Sequence, residues 1–337
     1  MFTRIVGALY VGAIVLGLAG CQGQQQSAPP VAAAPAMAMA PLSVDSGPTT
    51  IAIPSGVLKG AQIKFAPLDV KQAGAVPEVV GGKVADASQW PASFAATIVA
   101  NGKWYLCTAT LIGPQALLTA GHCVADHGTV SIEFRGKTQS AICSHHPKFD
   151  STWDQDVEDG KHPSWDQRKN GVSADFALCH LPQAINEVTY ETPLINPAQV
   201  ANAKSILLAG YGCYTADKQP SINPATGKPL FQTGYAQIAS LPKDDYLYIL
   251  TGTGAQVCPG DSGGAAYLTT SSSLDDVGGR RVVAVNSRVG TQDNKVVGPS
   301  YLSSLATSSA SAFLKKWSAD NGAAICGYNQ PTQCRSF

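Results

Sequence analysis

Cys258-Pro-Gly-Asp-Ser-Gly-Gly264 is the stretch that organises the chain. A serine set between glycines on a tight turn is held out where a substrate can reach it. Glycine adopts backbone angles that a side chain forbids. Such a turn can therefore aim several backbone N–H groups at one spot, where a developing oxyanion would sit. Alone, the pattern also fits an ordinary Gly-rich hairpin. Its meaning depends on a base and an orienting acid elsewhere, and on their order along the chain.

All six histidines (His122, His127, His145, His146, His162 and His180) precede Ser262. An α/β-hydrolase needs its histidine after the serine, so that reading fails although Gly-Asp-Ser-Gly-Gly satisfies its pattern. The orders His–Asp–Ser and Asp–His–Ser remain.

Composition narrows the class. The chain of 337 residues has room for one large all-β domain or two smaller ones after removal of a targeting segment. Only 14% of residues are charged and the net charge is +0, with no basic run, so a nucleic-acid partner is not expected. The 33 glycines and 22 prolines imply many turns between Val-, Ile-, Thr- and aromatic-rich runs, which favours strands over helices. Nine cysteines leave eight once Cys21 is set aside, and eight in an exported chain most simply form four disulfides.

Residues 1–20 read as an export signal. Arg4 starts it, an apolar run follows, and small residues end it. Leu18-Ala-Gly-Cys21 resembles the lipobox of bacterial lipoproteins, which implies cleavage before an acylated Cys21 and a membrane anchor. Gln22, in place of Asp, is similar to outer-membrane sorting in Gram-negative lipoproteins, with the domain in the periplasm or at the cell surface. The stretch 21–50 is Gln-, Ala-, Pro- and Ser-rich and reads as a disordered tether. Residues 51–78 read as a propeptide or an N-terminal wrap, and residues 79–337 as the catalytic domain.

Three further motifs surround the serine turn. Val79-Val-Gly-Gly82 is followed by Gln89-Trp-Pro91. Thr119-Ala-Gly-His-Cys123 ends a predicted strand. Asp175-Phe-Ala-Leu178 opens another. In this order they resemble the trypsin/chymotrypsin family of serine proteases, over Val79 to about Trp317. The resemblance implies an all-β fold of two six-stranded antiparallel Greek-key β-barrels with a C-terminal helix. It also implies hydrolysis of a polypeptide by a monomeric enzyme without a cofactor.

His122 lies on a turn after a buried strand, and an imidazole, whose unperturbed pKa is about 6.5, suits a general base near neutrality. Asp175 would orient it, with Asp166 and Asp159 as fallback acids. Ser262 would be the nucleophile, and the N–H groups of Gly260 and Ser262 the oxyanion hole. The resemblance pairs the α-amino group of Val79, freed by cleavage, with Asp261. Glu78 precedes that bond where animal zymogens usually carry Lys or Arg. The resemblance also implies the disulfides Cys107–Cys123, Cys143–Cys179 and Cys213–Cys258, which leaves Cys326 with Cys334.

Gln256, six residues before the serine, stands where trypsin-like members carry Asp. A neutral amide does not compensate a buried cation, so cleavage after Lys or Arg is disfavoured. Val257 and Val289 would narrow the pocket toward small or apolar side chains, and Ser287 would back the triad and contact substrate backbone. Asp154, Asp156, Glu158 and Asp159 cluster in a polar loop over 145–172. Their spacing lacks a calcium loop, so a solvated loop without metal is expected. From a different class, the chain could be a catalytically silent or dormant relative serving as a binding module or adhesin. The filled triad positions argue against that.

Strands are expected over 92–100, 103–112, 117–120, 129–134, 140–144, 204–212, 231–240, 245–251, 265–269 and 280–288. A helix is expected over 304–321.

Overall fold

A computed structural model describes residues 62–63, 68–69, 80–100, 103–213, 222–223, 225–243, 245–274, 277–292 and 295–336. The expectations placed on 1–50, Cys21 among them, and on Val79 lie outside these. The described residues all fall within one unit. Three two-residue strands come first: β1 (Gln62–Ile63), β2 (Leu68–Asp69) and β3 (Lys83–Val84).

The first barrel comprises β4 (Ser93–Ala100), β5 (Lys103–Leu111), β6 (Ala116–Thr119), β7 (Thr129–Phe134), β8 (Lys137–His145) and β9 (Ala177–His180). Every pairing is antiparallel. The order is β5-β4-β7-β8-β9-β6, closed by β5 on β6. Asn101-Gly102 joins β4 to β5 in sequence, and the register runs from Ala100↔Lys103 to Ser93↔Thr110. Alternation along β4 puts Phe94, Ala96 and Ile98 inside and Val99 outside.

The second barrel comprises β10 (Ser205–Gly210), β11 (Gln232–Ser240), β12 (Tyr248–Gly254), β13 (Ala265–Thr269), β14 (Arg280–Gln292) and β15 (Lys295–Ser304). Its order is β14-β13-β10-β11-β12-β15, closed by β14 on β15. The fold is thus chymotrypsin-like. One buried cluster joins both barrels through Leu117, Phe176, Leu207, Tyr267 and Val285, and a second fills the second barrel with Ile206, Leu208, Ile249, Val283 and Leu302. Burying each such side chain contributes about 1.5–3 kcal/mol relative to exposure.

Among the described residues four α-helices lie outside the barrels: α1 (Trp153–Glu158), α2 (Trp165–Ser173), α3 (Pro197–Val200) and α4 (Ser308–Asn321). Thr307 Oγ1 caps α4 by accepting from Ala310 N, 3.1 Å away, and Gly322 ends it at φ 61°. Ala310, Phe313, Leu314 and Trp317 recur at helical spacing and form its buried face.

Three expectations need correction. The 145–172 stretch is not simply a solvated loop, since it carries α1 and most of α2. Its polar composition hides them because tertiary contacts hold them. Arg168 binds Asp150 and Asp156, and Trp153 packs edge-on against Trp165 at 5.6 Å. The strand β15 was not anticipated, because Gly298-Pro299 interrupts its pattern. Register shifts in the β14–β15 ladder accommodate the irregularity. The C-terminal helix begins at Ser308; Leu305 is buried ahead of it.

Disulfides join Cys107 to Cys123, Cys143 to Cys179, Cys213 to Cys258, and Cys326 to Cys334. The short N-terminal strands extend both sheets: β1 pairs with β14, β2 with β5, and β3 with β11.

Candidate active site

Two glycines set the shape of the serine turn. Gly260 has φ 99° and Gly263 φ 84°, in the left-handed region. A Cβ on Gly263 would lie 2.2 Å from Thr108 O, so no larger residue fits. Both barrels clamp the turn from behind. Thr108 N donates to Ser262 O at 2.7 Å, and Thr108 Oγ1 to Gly260 O at 2.8 Å. Gly263 N donates to Asn286 O, and Asn286 N to Gly264 O. The carbonyls of Gly260 and Ser262 are thus engaged. Their N–H groups donate to none of the described residues.

His122 sits on a 3₁₀ turn, Gly121–Cys123, directly after the fully buried β6. Its Nδ1 lies 2.7 Å from Asp175 Oδ2, and its backbone N donates to Asp175 Oδ1 at 2.8 Å. A Cβ on Gly121 would meet the Phe149 ring at 2.8 Å, which accounts for glycine there. Cys123 Sγ lies 3.9 Å from His122 Nε2 and 3.6 Å from Ser262 O. One sulfur therefore touches both the imidazole and the serine's own backbone.

Asp175 is fully buried just before β9. Burial pushes its carboxyl up, but the charge and hydrogen bond of His122, the Arg288 charge and a Ser287 hydrogen bond outweigh this. The net pKa is below the usual carboxylate range. Ser287 Oγ donates to Asp175 Oδ2 at 2.5 Å, and the Tyr248 hydroxyl lies 2.9 Å from Ser287 Oγ and 3.1 Å from Val172 O. The fallback acids lie apart from this network: Asp166 pairs with Lys169 and Asp159 with Lys161.

Sequence reasoning missed Thr108, Asn286, Tyr248, Arg288 and Asp154. None lies in a motif, and their roles arise only when distant strands meet. Buried Arg288 donates through Nη1 to Asp154 Oδ1 at 3.0 Å. Burial pushes Asp154 up to about 6, against the Arg288 charge. Asp154 is therefore turned inward and is not one of a solvated cluster.

Asp261 is also buried. Its Oδ1 accepts from Gly212 N at 2.8 Å and its Oδ2 from Cys258 N at 2.9 Å. Burial pushes its pKa up to about 7. Val80, beside the expected new terminus, accepts from Gln256 N at 3.0 Å.

Gln256 turns its amide to Gly298 O at 2.6 Å, and Val257 N donates to Ser300 Oγ at 2.9 Å. Val257, Val289 and Val296 are buried in the same cluster. Sulfur and nitrogen atoms of Cys107, His122 and Cys123 lie close enough to suggest a metal site, but both sulfurs are bonded to each other and offer no thiolate.

The geometry supplies an imidazole whose Nδ1 side is held by a carboxylate, next to a serine on a clamped turn whose N–H groups donate to none of the described residues. That is the equipment for acyl transfer.

The trypsin family model matches residues 79–301. The chain is 28% identical over 212 residues to phenoloxidase-activating factor 3 of Holotrichia diomphalia, covering 57% of this chain and 60% of that protein. It is 27% identical over 213 residues to chymotrypsin-like elastase family member 1 of Rattus norvegicus and of Macaca fascicularis, covering 56% of this chain and 73% of each relative.

Proposed function

Because this chain belongs to the trypsin family, we propose that it is a serine endopeptidase working through His122, Asp175 and Ser262. The observation that carries the reading is the Asp175–His122 pair beside the clamped serine turn. Ser262 Oγ attacks the peptide carbonyl while His122 Nε2 takes its proton. Asp175 holds Nδ1–H and stabilises the imidazolium. The N–H groups of Gly260 and Ser262 receive the oxyanion, each such donor contributing roughly 2.7–4 kcal/mol. His122 then protonates the leaving amine, and water attacks the acyl-enzyme by the reverse path.

The side chain preceding the cleaved bond is small or apolar. The neutral Gln256 amide and the buried Val257 and Val289 support this, and two of the relatives above are named elastases. Cleavage after Glu78 frees the α-amino group of Val79 for Asp261. Among the described residues that carboxyl accepts from Gly212 N and Cys258 N, neither of them a cation, and burial makes its ionisation costly. An acylated Cys21 tethers the enzyme to a bacterial membrane through the 22–50 linker, as a monomer acting on polypeptides.

The test is hydrolysis of a peptide library by the purified soluble enzyme, with and without cleavage before Val79. Cleavage after Ala or Val, lost in Ser262→Ala, is expected. A dominant preference for Arg or Lys would overturn the specificity, and activity retained in Ser262→Ala would overturn the mechanism.

A further inference from the structure

The strands β1 and β2 are short, yet they lie on different barrels. β1 runs antiparallel to β14 with Ile63↔Gly290 and Gln62↔Thr291. That register begins one residue past Ser287-Arg288-Val289, the part of β14 whose first residue binds Asp175. β2 runs antiparallel to β5 with Leu68↔Leu106 and Asp69↔Tyr105. That register stops one residue before Cys107, which is bonded to Cys123 beside His122.

Only Lys64 to Pro67 join the two strands in sequence. Five Cα steps from Ile63 to Leu68 reach at most roughly 17 Å. The two edges flank the serine turn: Asn286 of β14 accepts from Gly263 N, and Thr108 N of β5 donates to Ser262 O. The two ladders are also what an extended peptide would form by adding itself to exposed strand edges.

We propose that β1 and β2 act as an internal pseudosubstrate of the uncut chain. They take the edges of β14 and β5 on either side of the catalytic groups, where an extended substrate would pair, and they keep the enzyme dormant until they are released. This rests on the reading of the cleft as the peptide-binding site. It assigns 51–78 a function: an intramolecular inhibitor held at high effective concentration by its own chain.

The test compares the full-length chain with a double variant, Ile63→Pro and Leu68→Pro, which removes a ladder N–H from each strand. A milder pair, Ile63→Gly and Leu68→Gly, guards against misfolding. Hydrogen exchange at 104–107 and 288–291 reports the pairing, and the rate of fluorophosphonate labelling reports access to the serine. Both variants should lose protection at both stretches and label at least tenfold faster than the parent. A synthetic peptide of residues 60–71, added in trans, should slow labelling of the proline variant at least fivefold, whereas a scrambled peptide should not.

Unchanged exchange and unchanged labelling in both variants would overturn the proposal. Repeating the exchange measurement in Ser262→Ala separates the two readings, because loss of protection there depends on the pairing and not on catalysis. If nothing labels while protection still falls, the placement of the segment stands and the peptidase reading fails.

Discussion

At Asp175 one carboxylate does several jobs at once. It binds the imidazole Nδ1 and the backbone N of His122, and it accepts from Ser287. A carboxylate that fixes the tautomer cannot be replaced by an amide of the same shape, because the amide's N–H would face the imidazole N–H or force the wrong tautomer. Asp175→Asn should therefore lower kcat about 10⁴-fold with KM little changed. Steady-state kinetics check this, and a loss below tenfold would contradict the role. Ser262, His122 and Asp175 could be singled out from sequence because each lies inside a short motif. Thr108 and Tyr248 could not: a threonine after a cysteine, or a tyrosine in a strand, has no local signature. Only folding brings Thr108 to the serine turn and Tyr248 to Ser287.

Among the elements, the β8–β9 connection departs most from a reading of its composition. Its charged residues look like a solvated face, yet α1 inserts Trp153 among Trp165, Tyr248 and Tyr301, and delivers Asp154 to buried Arg288. The strands were more legible because alternation is a local property. β15 was the exception, since its glycine and proline mask a role set by barrel closure. The position of α1 has a consequence for stability. Burial pushes Asp154 up to about 6, against the Arg288 charge. A raised folded pKa means that its contribution to stability is present below about 4 and lost as pH rises through about 6. Asp154→Asn removes that loss, so stability should rise more steeply with pH between about 4 and 6.5 than in the parent. Urea unfolding across that range decides it, and a shallower rise would contradict the role of Asp154.

For the whole molecule, two barrels and α4 close over groups that ionise reluctantly. His146 packs against Phe176 and Phe313, meets Ser309 Oγ at 3.0 Å, and is pushed down to about 4 by burial. Unfolded histidine takes a proton below about 6.5, while the folded chain resists until about 4. Stability is complete above 6.5 and falls as pH drops through this window, by on the order of 3 kcal/mol. His146→Gln should flatten that dependence in urea unfolding between pH 7 and pH 4.5, and an unchanged slope would contradict it. Asp261 has the opposite sign. Its pKa is raised to about 7 by burial, so its contribution is lost as pH rises from about 4 through 7.

The claim that matters most is that both barrels converge to make one alcohol reactive. Tandem mass spectrometry of the fluorophosphonate-treated enzyme, cleaved before Val79, tests it most directly. One adduct is expected, on Ser262, absent from His122→Ala. An adduct on another residue, or full labelling in the His122 variant, would contradict it.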